Sequence, residues 1–272
     1  MLSSKVCNAS DFTTPWYRQA QAGLGDTTVH YHRKLWEFCF IYGVLEARGL
    51  LRPGSRGLGF GVGKEPLADA FAARGCAVVA TDIDEARGVE MGWADTGQHA
   101  SRLSDLRERS LSTLADFERL VTFDFADMNA IPARFRSEFD FTWSACAFEH
   151  LGSIEAGIEF IVNQAACLRP GGVGVHTTEY NLSSNDHTLE HGITVIFRRR
   201  DVDEMVRRLR KQGLVVTFDP TVERDGHENT FVDAPPYTHD PHIRLQLEQY
   251  ESTSIGIVVE RPLIAKRWYR RR

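Results

Sequence analysis

Residues 56–84 read RGLGFGVGKEPLADAFAARGCAVVATDID, and no other stretch limits the possible folds so tightly. A short apolar run carries glycines at 57, 59, 61 and 63. Pro66, a favoured first helical residue, opens an amphipathic run that closes at Gly75, and a second apolar run ends in acids. Strand, glycine turn, helix and strand in that order make a βαβ unit, because parallel strands need a crossover between them. Gly59, Gly61 and Gly63 lack side chains, so the backbone can approach a ligand at the carboxyl end of the first strand. The pattern is G-x-G-x-G. A dinucleotide turn would want its third glycine at 64, where Lys64 stands.

The alternation continues along the chain. Apolar residues at helical spacing from Arg33 to Leu51 predict a helix that RPG stops. After the βαβ unit the reading is a polar helical region over about 84–118, a third strand at LVTFDF and a fourth at FDFTWSA. A helix from about Ser153 ends at CLRPGG, followed by a fifth strand VGVHTTEY, a helix at Asp201–Gln212, and strands LVVTFD and STSIGIVVE. This is an α/β fold with a mostly parallel sheet. The connection over about 220–251 is long, polar and rich in histidine, and loops of that length usually carry a function.

Composition narrows the function classes. At 272 residues and 42% hydrophobic, the chain can bury the core of one large domain with an appended cap. A formal charge of −5 gives no global reason to bind nucleic acid, although basic residues cluster at FRRRDVDEMVRRLRK and in KRWYRRR. The five cysteines, Cys7, Cys39, Cys76, Cys146 and Cys167, are scattered and odd in number, which argues for a reducing compartment and against structural zinc. No run is long and apolar enough to span a bilayer, and the N-terminus lacks a signal-peptide core, so the expected location is the cytoplasm. Oligomeric state is not readable.

Four segments in order, GLGFGVG, VVATDID, FADMNAIP and CLRPGGVGVHTTEY, give the chain a resemblance to the class I S-adenosylmethionine-dependent methyltransferases over roughly Pro53 to Glu260. The resemblance implies a Rossmann-like sandwich: a seven-stranded, mostly parallel sheet with the last strand antiparallel, helices on both faces and an N-terminal helical cap. It divides the chain into a cap and helix (1–52), a cofactor-binding methyltransferase domain (53–265, with the insertion at about 220–251) and a basic tail (266–272). The implied cofactor is S-adenosyl-L-methionine. Gly59, Gly61 and Gly63 would cradle it, Asp82 with Ile83 would meet the ribose, Asp127 and Met128 the adenine, and Ser144 would lie beside the methyl donor. The acid common two positions before the first glycine of the motif is replaced by Gly57, with Glu65 as its candidate substitute.

Residues just beyond the fourth strand, SACAFEHLG, supply Glu149 and His150. His150, which titrates in the useful range, is the candidate base for a hydroxyl acceptor, with Glu149 orienting it. Beyond the fifth strand, Glu179, Tyr180 and His191 fall where an open sheet places its ligand crevice, together with Asn181, Asp186 and His187. His30, Tyr31, Lys34 and Trp36 of the cap are expected to face the same crevice, Trp36 as a substrate contact. No spacing is diagnostic of a metal and none is assigned. SACAF, where base-modifying amino methyltransferases carry N/D-P-P-Y/F, makes nucleic acid a poor acceptor. GLGFGVGKEPL, CAFEHLG and HTTEYN resemble bacterial methyltransferases of polysaccharide and glycan biosynthesis, and that resemblance implies a small-molecule or glycan acceptor, methylated at a hydroxyl. A non-catalytic cofactor-binding regulator and an NAD-dependent oxidoreductase are the alternatives, the second disfavoured by Lys64 and LRPGG.

Overall fold

The computed structural model describes residues 2–28, 30–84, 100–107, 109–238 and 240–263. Most of the connection after Asp84 and the basic tail expected at 266–272 lie outside them. In chain order the strands are β1 (Ser4–Val6), β2 (Arg56–Phe60), β3 (Ala77–Asp82), β4 (Val121–Phe125), β5 (Phe139–Ala145), β6 (Gly152–Ser153), β7 (Leu168–Asn181), β8 (His191–Gly192), β9 (Phe218–Asp219), β10 (Val232–Asp233), β11 (Arg244–Leu247) and β12 (Tyr250–Glu260). The helices are α1 (Pro15–Gly23), α2 (Arg33–Ala47), α3 (Leu67–Ala73), α4 (Leu114–Leu120), α5 (Ile154–Gln164), α6 (Arg199–Lys211) and α7 (His227–Thr230).

Strands β7, β5, β2, β3 and β4 lie side by side in that order and parallel, as the alternation of strands and helices predicts. β12 runs antiparallel to β7, and β11 and β10 extend the sheet beyond it. Two apolar layers flank the sheet. One packs α2, α3 and α4 against Phe141, Trp143 and Val175; the other packs α5 and α6 against Leu58, Phe60 and Tyr180. Each fully buried aromatic ring is worth roughly 2–3 kcal/mol of hydrophobic stabilisation.

The seven-stranded expectation changes at one edge. LVVTFD, expected as a strand, contributes only Phe218–Asp219 and a single bridge from Val215 to Glu260. Its place beside β12 is taken by β1, which pairs antiparallel with β12 at Ile255 and Gly256 and parallel with β9. Val6 is fully buried there and Ser4 Oγ accepts from the Val258 amide at 2.9 Å. The cap segment therefore adds a strand as well as helices. The 220–251 connection holds α7, β10 and β11 rather than plain loop.

Helix α2 is buried on almost every side because α1 covers the face turned away from the sheet. This overturns the expectation for Trp36. Its ring is fully buried, stacks on Phe40 at 4.8 Å and donates from Nε1 to Asp11 Oδ2 at 2.9 Å, so it belongs to the packing between α2 and the N-terminal segment rather than to an open crevice.

Candidate active site

The glycine turn leaves β2 at Phe60 with Gly61 and Gly63 at φ 55° and 49°, a region that glycine enters without strain. A Cβ on Gly61 would stand 2.8 Å from Ala147 Cβ and 3.2 Å from Met128 Sδ, so the turn rests on the segment after β5 and on the expected adenine-side methionine. Asp82, at the end of β3, accepts from the Ile83 amide at 2.8 Å and from the Gly63 and Ala100 amides at 3.2 Å, pinning the turn. Asp127, part-exposed after β4, accepts from the Asn129 amide at 2.8 Å.

Gly57 has a steric cause. A Cβ there would overlap the Phe141 ring, and one on Gly59 the Trp143 ring, so these two glycines serve packing on the neighbouring strand. No acid fits at 57. Glu65 lies beneath the turn, buried, accepting from Trp143 Nε1 at 2.5 Å. Burial pushes its carboxyl up to about 8, against the opposing pull of that hydrogen bond and of Lys34.

β7 outruns its partner. Ala145 pairs with Thr177, after which β7 continues to Asn181 on β12 alone. Alternation turns Glu179 toward α2 and Tyr180 to the opposite face, where it packs on Phe218. At the start of α2, Arg33 reaches Glu179 at 2.6 Å and Glu37 at 3.2 Å, and Lys34 Nζ lies 3.1 Å from Glu37. Ser252 donates to Glu179 at 2.8 Å, and Ser254 donates to Glu37. Burial alone would lower the pKa of Arg33 and Lys34; the surrounding acids more than offset it and hold both cationic. The same two cations outweigh burial at Glu37 and hold it ionised.

Cys146 turns the chain out of β5 with φ 47°, unusual for a residue bearing a side chain, and its amide donates to the Thr177 carbonyl at 3.1 Å. The following 3₁₀ turn, Phe148–His150, carries both expected catalytic residues. Glu149 is buried, accepts from Thr178 Oγ1 at 3.0 Å and is raised to about 7 by burial, with Lys34 opposing. His150 Nδ1 lies 2.8 Å from the Ile193 carbonyl and 3.2 Å from Thr194 Oγ1, and Nε2 is 3.8 Å from Glu149 Oε1. A carbonyl only accepts, so Nδ1 carries the proton and Nε2 is the basic nitrogen. Burial drops His150 to about 4, the Ile193 contact resisting, so the ring is neutral at pH 7 and, contrary to the expectation from its ordinary value, does not titrate near neutrality.

The structure thus gathers Glu149, His150, Glu179 and Lys34 at the carboxyl end of the sheet, beside the turn. It separates others. Ser144 is buried and its hydroxyl meets His176 Nδ1 at 2.8 Å inside the α5 layer, and His191 is exposed on β8, paired with Ser153. Sequence reasoning missed Arg33 and Glu37, whose i,i+4 spacing at a helix start was a readable signal. It also missed Asp233 and His242, 2.6 Å apart and buried, which tie the 233–242 segment to the backbone at Tyr31 and Arg33. Cys146, Glu149 and Glu179 offer donor atoms within 4.8 Å of one another, but Arg33 and Lys34 already bring positive charge to that group.

No family model and no curated protein sequence matches the chain. Solved structures do. A protein assigned as a sarcosine dimethylglycine methyltransferase from Galdieria sulphuraria superposes with a TM-score of 0.53 at 13% identity, covering 92% of this chain and 99% of that one. The fold is that of a class I methyltransferase. A protein assigned as a methyltransferase from Bacillus halodurans (TM-score 0.47, 14% identity, 80% and 97% covered) and an S-adenosylmethionine-dependent methyltransferase from Mesorhizobium loti (0.47, 13%, 81% and 97%) are also similar. In this methyltransferase fold the cofactor crevice lies at the carboxyl ends of the parallel strands. The residues present fit such a ligand: a turn built on two positive-φ glycines, acids at the ends of β3 and β4, and buried carboxyls beside the turn.

Proposed function

We propose that the protein is an S-adenosylmethionine-dependent methyltransferase acting on a small polar acceptor, through a hydroxyl of a sugar, glycan precursor or related metabolite, with His150 as base. The observation that carries this reading is the placement of His150: Nδ1 is engaged by the Ile193 carbonyl and Nε2 lies toward Glu149, in the turn that leaves β5 beside the glycine turn. The cofactor supplies an electrophilic methyl group on a sulfonium. Gly61, Gly63, Asp82, Asp127 and Met128 bind and orient it. Arg33, Glu179, Ser252 and Thr178 give the acceptor side a wall of charged groups and hydroxyls suited to a polyhydroxylated molecule. His150 Nε2 takes the acceptor's proton as the oxygen–carbon bond forms and the carbon–sulfur bond breaks.

The test is calorimetric binding of S-adenosylmethionine and NAD, followed by an acceptor screen that reads the demethylated cofactor. Binding of the first alone, with turnover on a hydroxylated acceptor falling at least about 100-fold in a folded His150→Ala variant, is expected. Turnover on amines only would overturn the hydroxyl assignment. Unchanged turnover in the variant would remove His150 from the mechanism, and tight binding with no product on any acceptor would favour a regulatory protein.

A further inference from the structure

The face of the sheet that carries α5 and α6 is covered unevenly. Leu58 on β2, Val79 on β3 and Thr122 on β4 are register partners and point to that face together. Leu58 is fully buried in the helical layer, Val79 is half-buried and Thr122 is exposed. The reason is local. A crossover between parallel strands usually supplies a helix, but among the described residues the connection from β4 to β5 holds one 3₁₀ turn, Ala133–Phe135. The uncovered flank forms a groove of about 310 Å³, at the small end of the range for ligand clefts. Phe135 and Phe139 line it, and two ion pairs wall it: Arg56 with Glu138 and Arg134 with Asp124, each at 2.8 Å. The two guanidiniums lie over the rings, Arg56 5.4 Å from the centre of Phe139 and Arg134 4.6 Å from that of Phe135, and both remain part-exposed.

The chain leaves its last strand beside this groove. After β12 the Arg261 amide donates to the Gly172 carbonyl at 2.9 Å, and the Arg261 carbonyl accepts from the Gly171 amide at 2.7 Å. The Arg261 guanidinium donates to the Leu168 carbonyl and, at 2.9 Å, to Ser137 Oγ, one residue before Glu138. Leu263 follows, against Gly171 yet 79% exposed. Residues 264–272, IAKRWYRRR, lie outside the described residues and set Trp268 and Tyr269 among five cations. Leu168 pairs with Phe139, and β4 lies three strands beyond β5. At about 4.8 Å per strand the groove therefore spans roughly 5–19 Å from β7. An extended chain starting at Leu263 reaches up to about 17 Å at Trp268 and about 30 Å at its end.

We propose that residues 264–272 turn back across the amino end of the sheet and seat Trp268 in this groove, against the Arg56 and Arg134 guanidiniums. A guanidinium is planar and stacks on an indole face, and the two arginines are already held over aromatic rings by their acids. Asp124 and Glu138 stand at the rim, where the cations on either side of Trp268 and Tyr269 meet them. The docked segment takes the place of the helix that this crossover lacks, and it holds a basic tail against the body of the protein. The inference is independent of the cofactor reading, since Arg56, Glu138 and Phe139 stand at the amino ends of their strands, opposite the glycine turn.

The experiment places a photo-cross-linker in the full-length protein, Trp268→benzoylphenylalanine, irradiates it at low concentration and maps the products by mass spectrometry. Cross-links within one chain, concentrated on residues 122–124 and 134–139, are expected. Adding Arg56→Ala and Arg134→Ala together should cut their yield at least about fivefold, with the fold checked by circular dichroism. Cross-links scattered over the surface, or a yield that the paired substitution leaves unchanged, would overturn the proposal. Cross-links to the same residues of another chain would overturn it in favour of a groove that takes the tail of a second copy. Should the paired variant fail to fold, the distribution of cross-links in the chain altered only at 268 decides alone.

Discussion

Single residues carry most of what distinguishes this site. Gly57 stands where related motifs often place an acid, and Phe141 fills the space a side chain would need. Gly57→Asp is therefore expected to cost at least about 2 kcal/mol in urea denaturation, from overpacking and a buried charge, with no gain in cofactor affinity. Glu65 titrates against the usual direction for a carboxyl. Its folded pKa of about 8 lies above the unfolded value, so the folded state binds more protons between roughly 4.5 and 8, and this contribution to stability is lost as pH rises through 8. Glu65→Gln keeps an acceptor for Trp143 and carries no charge. It should match wild type near pH 5 and exceed it by at least about 1 kcal/mol at pH 9, measured by denaturant melts at both values. The placement of the glycine turn, Asp82, Glu149 and His150 at strand ends was legible, because the apolar runs that mark the strands stop just before them. The fully buried state of Glu65 was not, since burial depends on Trp143, 78 positions away.

Among the elements, α2 shows both the reach and the limit of periodicity. Helical spacing of apolar residues gave its extent within a few positions, yet it did not say which face meets the sheet. Trp36, the most conspicuous side chain near the helix start, turned toward Asp11 and Phe40, while the charged residues Arg33, Lys34 and Glu37 turned to the site. Burying charge is normally the costlier choice, and a sequence without partners in view argues against it. The partners, Glu179 on β7 and Ser254 on β12, come from the far end of the chain. Arg33→Met should destabilise the protein by about 3 kcal/mol at pH 8, because it leaves Glu179 without its cation and Glu37 with one fewer. The loss should shrink at pH 5, where those carboxyls take up protons; equal losses at both values would show that the ion pairs are not the cause.

At the scale of the whole molecule, the parallel centre of the sheet followed from alternating strand and helix patterns, but its edge did not. A three-residue strand such as SKV leaves no periodic signal, and β1 is defined by partners more than 200 positions away. Removing residues 1–7 should expose the flank of β12 and lower the thermal midpoint by at least about 5 °C, with increased aggregation, as seen by calorimetry and light scattering. The overhang of β7 governs how the site can be altered. Glu179 hangs from a continuous ladder running from Val173 to Asn181 against β12, with Glu179 opposite Ser254. A one-residue slip in that register would swing Thr178 or Tyr180 into its place and take Glu149's hydrogen-bond donor with it. That wall is closed to gradual change. New acceptor preferences in this scaffold would have to arise across from it, at the N-terminus of α2 and in the 233–242 segment that Asp233 and His242 fasten there.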